Sequence, residues 1–328
     1  MANLLSPIKI KNVKAKNRIV MPPLATRDAT SIGMVTDKLI EQYTNRPKVG
    51  MMIVEHSYVR REGRVSNHQL GIYDESHLAG LGKLAHKIRE NGSLAAIQIS
   101  HGGSASKSNI LGRSAFAPSE IKHPGRDLEE TPTALVKDDL QELKRSFVKA
   151  ALRAKKAGFN IVELHGAHGY LLNQFMSPLT NKRDDKYGGN LENRMRFPLE
   201  ILKAIKGAVG KKYPVAYRLG CDDFLPGGIT VEDAVEAAKM LENAGVDLLD
   251  LSGGLKGYDV ADDKEGFFVY LGEAIKPEVD VPVIVTGGIK TPEYANKIVK
   301  EDKTDLVGVG RAMLKDKKWA EKAVEKLK

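Results

Sequence analysis

The chain has 328 residues, 51 Lys and Arg against 42 Asp and Glu, and 42% hydrophobic residues, a balance that excludes disordered and collagen-like chains. No run approaches the roughly 20 apolar residues of a membrane-spanning helix, and MANLLSPIKIKNVK lacks the apolar stretch of a secretory signal, so a soluble, cytoplasmic protein without a membrane partner is expected. The single cysteine, Cys221, leaves no disulfide, CxxC zinc site or four-thiolate cluster within the chain, and the excess lysines are interspersed with acids (KLAHKIRE, EDAVEAAKMLEN) instead of forming a nucleic-acid footprint.

After an N-terminal segment, roughly residues 1–17, expected to plug one end of the fold, eight short apolar runs of β type follow in order. They are RIVMPP (18–23), GMMIVEHS (50–57), LAAIQISH (94–101), NIVELHGA (160–167), PVAYRLG (214–220), VDLLDLSGG (246–254), VPVIVTGG (281–288) and DLVGVGR (305–311). Near-continuous apolar runs read as strands buried on both faces, hence parallel, and the text between them is mostly amphipathic and helical. Thr230 with Asp233 has capping-box spacing, and Thr291 before Pro292 sets an N-cap ahead of a proline at the first helical position. Eight β/α units without a linker predict a single (β/α)8 TIM barrel spanning residues 1–328, with long loops after strands three and four. The rival, an open doubly wound sheet, lacks a GxGxxG turn after its first strand.

A barrel places its chemistry at the C-terminal ends of its strands. Gly287 and Gly288 after strand seven, with Gly310 and Arg311 at strand eight, suit a phosphate: small residues let backbone N–H groups approach the anion, and Arg311 adds a charged fork. His165 and His168 stand at the mouth after strand four. They read as metal ligands, as a structural pair, or as N–H donors to a carbonyl oxygen that gains charge, with Tyr170 offering a proton nearby. A metal is not expected, because the HxH of metallobarrels belongs at strand one, where this chain reads Pro22-Pro23-Leu24-Ala25. A Schiff-base aldolase is excluded because no strand run contains a lysine. Arg218, among the apolar residues of strand five, needs an anionic partner, either a neighbouring carboxylate or a cofactor that becomes anionic on reduction.

KNRIVMPPLAT, VEHSYVRREGR, IQISHGG, ELHGAHGYLLNQFMSPLTNKRDDKYGGNLENRMRF, GGIT and VGVGRAML together resemble the old yellow enzyme family of FMN-dependent ene-reductases, almost end to end. The resemblance implies the same barrel and an FMN lined by Pro23, Leu24 and Ala25. Gln98 and Arg218 lie on its pyrimidine side, and its phosphate sits at Gly287, Gly288, Gly310 and Arg311. His165 and His168 are implied to hold the carbonyl oxygen of an enone or enal, and Tyr170 to protonate the α-carbon after NADPH or NADH has reduced the flavin and the flavin has passed hydride to the β-carbon. Related proteins form dimers or tetramers, so a homo-oligomer is implied.

Three departures stand out. The flavin-tuning position falls on Ala25 or, with a one-residue slip, on Thr26. His56 stands beside the flavin where the family has a small residue, and His101-Gly102-Gly103-Ser104 lacks the family's arginine. The MPPLAT start resembles larger enoate and dienoyl-CoA reductases, whose iron–sulfur equipment one cysteine does not support. A related flavin barrel that acts as a dehydrogenase or demethylase is the second reading.

Overall fold

The computed structural model describes residues 2–258 and 264–328. Eight strands, β1 (Ile19–Met21), β2 (Met51–Tyr58), β3 (Leu94–Ser100), β4 (Ile161–Gly166), β5 (Val215–Gly220), β6 (Leu248–Ser252), β7 (Val283–Thr286) and β8 (Leu306–Gly308), pair in parallel and close through β8 against β1. The chain is a (β/α)8 TIM barrel. Its outer helices are α1 (Asp37–Thr44), α2 (Leu78–Glu90), α3 (Lys137–Lys156), α4 (Leu191–Val209), α5 (Val231–Asn243), α6 (Val269–Ile275), α7 (Pro292–Lys300) and α8 (Trp319–Leu327). Their start signals close as the sequence predicts: Asp233 N–H donates to Thr230 Oγ1 and Thr230 N–H to Asp233 Oδ2, while Tyr294 N–H donates to Thr291 Oγ1.

Strand side chains alternate between the barrel axis and the helices, so the interior fills in layers two residues apart. The lower layer is apolar: Val20, Ile53, Ala96, Ile161, Ala216, Leu248, Ile284 and Leu306 pack together, with Ile10 of the hairpin Ile8–Ile10/Val13–Ala15 among them. Two residues further along β3 to β7 the sequence becomes Gln98, Glu163, Arg218, Asp250 and Thr286, and this second layer is the floor of the site.

Strand β2 breaks the alternation. Val54 pairs with Ile97 and Ser57 with Ile99, so Glu55 and His56 together oppose the single residue Gln98. With Ile53 facing inward, strict alternation would point His56 toward the helices. The bulge re-aims it, and His56 lines the cavity at the barrel mouth. The long β3–α3 connection carries only short elements, including a pairing of Phe116–Ala117 with Thr133–Ala134. Leu171–Met176 forms a short helix between β4 and α4.

Candidate active site

At the C-terminal end of the strands lies a cavity of about 780 Å³. Its lining includes Pro23, Leu24, Ala25, His56, Gln98, His165, His168, Tyr170, Arg218, Gly287, Gly288, Gly310 and Arg311, the residues singled out from the sequence. Another concavity, about 490 Å³ beside Tyr213, is lined by neither histidine nor carboxylate. Among the described residues no group of three or more His, Cys, Asp or Glu is placed to hold a metal ion, and no helix is long and apolar enough to cross a membrane.

The floor is a chain of buried polar groups. Gln98 Nε2 donates to Glu163 Oε1 at 2.8 Å, and Arg218 Nε stands 3.2 Å from Asp250 Oδ2 on the neighbouring strand. Burial pushes both carboxyls up, and the Asp250 charge raises Glu163 further while Arg218 pulls both down. Arg218 thus has the carboxylate partner its sequence context demanded, and it still lines the cavity. Glu163 and Asp250 were not among the sequence candidates. A carboxylate inside an apolar strand run, on the strand to either side of the one that carries Arg218, was the signal available.

Around the mouth the aromatic groups converge. The ring of His165 lies 5.0 Å from that of His168 and 4.7 Å from that of Tyr170, both edge-on. His168 sits at φ 58, a left-handed turn that costs a non-glycine residue energy and is held by its N–H donating to Gly253 O. His168 Nε2 is 2.7 Å from Ser252 Oγ, whereas the His165 ring has no hydrogen-bond partner among the described residues. Burial first, then neighbouring charges, lowers both imidazoles well below the ordinary histidine range; for His165 these are His168 and Arg218, for His168 Arg218 and Arg126. They are neutral near pH 7, so each can offer an N–H without carrying charge. Burial raises the Tyr170 hydroxyl, opposed by Arg126, so it holds its proton.

Ala25 lines the cavity and Thr26 does not: Thr26 N–H donates to Glu55 Oε2 and Thr26 Oγ1 accepts from Asp28 N–H. At the opposite end, a Cβ on Gly308 would collide with Thr286 Oγ1, and Gly288 takes φ +65 with Phe267 packed behind it, so both positions bring bare backbone to the cavity edge beside Arg311. Six basic residues line the cavity and, among the described residues, no acid does. An elongated ligand with an anionic tail and a hydrogen-bonding ring edge fits these walls, and a flavin mononucleotide has that shape and charge.

A closed barrel with this floor and mouth fits the class of flavin-binding barrels. The model of the NADH:flavin oxidoreductase / NADH oxidase family matches residues 3–328, and the chain belongs to that family of FMN-dependent, NAD(P)H-linked enzymes of the old yellow enzyme type. An NADH oxidase of Thermoanaerobacter brockii is 43% identical over 98% of this chain but 51% of its own length, so the chain spans about half of that relative. An NADPH dehydrogenase of Bacillus cytotoxicus is 39% identical over 99% of this chain and 92% of its own. The solved old yellow enzyme homologue of Zymomonas mobilis superposes with a TM-score of 0.87 at 27% identity, covering 99% of this chain and 93% of that one.

Proposed function

We propose that the protein reduces the activated C=C bond of α,β-unsaturated carbonyl compounds at the expense of NADPH or NADH. The observation that carries this reading is the convergence of two neutral imidazoles and a protonated tyrosine on one cavity wall, His165 lying 4.7 Å from Tyr170 and 5.0 Å from His168. When bound, FMN supplies the two-electron exchange between nicotinamide and alkene. Gly287, Gly288, Gly310 and Arg311 would hold its phosphate, Pro23, Leu24 and Ala25 would lie against its ring, and Gln98 and Arg218 would meet the ring edge that gains charge on reduction. His165 and His168 present N–H groups to a carbonyl oxygen, favouring the enolate over the ketone. Tyr170 then delivers the proton that completes the saturated product.

Anaerobic visible spectra test the reading. The flavin bands should bleach with NADPH or NADH and recover when cyclohexenone is added. Bleaching without recovery by any enone or enal would favour the dehydrogenase or demethylase reading.

A further inference from the structure

We propose that Arg27, Arg126 and the Nε2–H of His56 form a subsite for an anionic group, a carboxylate or a phosphate, carried by the alkene substrate; this rests on the reductase function proposed above.

His56 presents a fixed donor. Gln69 Oε1 accepts from Val65 N–H at 2.8 Å, and a backbone N–H can only donate, so the Gln69 amide nitrogen must face His56. That nitrogen donates to His56 Nδ1 at 2.7 Å and to the His56 carbonyl oxygen at 3.0 Å. Nδ1 is therefore an acceptor, and the proton of the neutral ring sits on Nε2. Among the described residues Nε2 has no partner, and the ring lines the cavity 5.3 Å from Tyr170 and 6.2 Å from His165.

Two cations act on that ring. The Arg126 guanidinium carbon lies 5.2 Å from the centre of the Tyr170 ring, and its Nη2 donates to the His168 carbonyl oxygen at 2.9 Å, which ties the β3–α3 loop to the mouth. Arg27 itself lines the cavity, on a backbone turned to φ 57. Neither arginine forms an ion pair with any described carboxylate, whereas Arg218 on the floor is matched by Asp250. Both fields reach His56: burial, Arg126 and Arg27 lower it to about 4, so the ring stays neutral and does not add a third positive charge. The flavin phosphate belongs with Gly287, Gly288 and Arg311 at the other end of the cavity and does not balance this wall. A substrate whose carbonyl sits on His165 and His168 therefore meets, beside Tyr170, a region where no described carboxylate matches the arginines.

The test uses the FMN-loaded enzyme and three phenols that place the same oxygen on the histidine pair. Perturbation of the flavin bands is titrated with 4-hydroxybenzoate, its neutral methyl ester and 4-hydroxyphenyl phosphate. One or both anions should bind about tenfold to a hundredfold more tightly than the ester, the span of one or two hydrogen bonds to a charged group. That preference should shrink as ionic strength rises. Preference for the benzoate alone assigns a carboxylate substrate, and preference for the phosphate alone a phosphoester. In R27A/R126A the anion-to-ester ratio should fall toward one, and His56→Phe should lower it by a smaller factor. If the double variant does not keep its flavin, the salt dependence of the wild type and the His56→Phe ratio decide the matter. Equal affinity for ester and both anions in the wild type, or an unchanged ratio in the double variant with only nicotinamide binding weakened, would overturn the subsite. Failure to reduce both a cyclohexenone carboxylate and its ester, with the binding preference intact, instead counts against the reductase function.

Discussion

One residue separates Ala96 from Gln98, Ile161 from Glu163, Ala216 from Arg218 and Leu248 from Asp250, and across that step the barrel interior changes its rules. Below it, side chains are apolar and need only match each other in volume. Above it they are polar or ionisable and buried, and each has value only with its partner in place. The same backbone, in the same register, thus supports a layer that tolerates conservative change and a layer that does not.

Substitutions can break this contrast. The largest effect belongs to the mouth: Tyr170→Phe should slow reoxidation of the reduced flavin by an enone about 10²- to 10⁴-fold while reduction by the nicotinamide keeps its rate, because only the former needs the proton. Stopped-flow measurement of the two half-reactions checks this, and equal slowing of both removes Tyr170 from the proton transfer. Arg218→Met leaves Asp250 buried without its cation and should cost about 3–5 kcal/mol in denaturant unfolding, together with loss of bound flavin.

Glu55 sharpens the comparison through pH. Burial raises its carboxyl from 4.5 to about 7, so the native state keeps the proton longer than the unfolded chain. The stability tied to that proton is present below pH 4.5 and is lost as pH rises toward about 7. Glu55→Gln cannot ionise, so its stability relative to wild type should grow by about 3 kcal/mol across that window, read from unfolding curves at both ends. The smallest effect lies in the lower layer. Ile284→Val should cost about 0.5–1.5 kcal/mol and leave turnover per bound flavin unchanged.

Much of this was legible in the chain. Seven of the eight apolar runs contain a barrel strand whole and the second stops one residue short of Tyr58, because a strand buried on both faces must be apolar along most of its length. Histidines and glycines at the ends of those runs marked the mouth, since the fold leaves only those ends free for chemistry. His56 was visible as a residue beside the flavin, but its direction was not. The bulge that sets Glu55 and His56 against Gln98 is a property of the pairing between β2 and β3, and no residue spacing within β2 announces it. Arg126 was hidden for another reason: it lies in a long connection whose path is fixed only by contacts such as its bond to the His168 carbonyl. Gln69 was equally silent, because its role is to choose which nitrogen of a distant ring carries the proton.

What the amino-acid sequence determined by itself was therefore the set of strands, their order, their parallel pairing and the group of residues that gather at one end, since hydrophobic period and strand ends are local and additive. The tertiary structure decided which way those residues face, which of them are left without a counter-charge, and which protonation state each holds. Those properties depend on burial and on partners that lie far apart along the chain, as Arg218 does from Asp250 and His56 from Arg126, and they exist only once the barrel is closed.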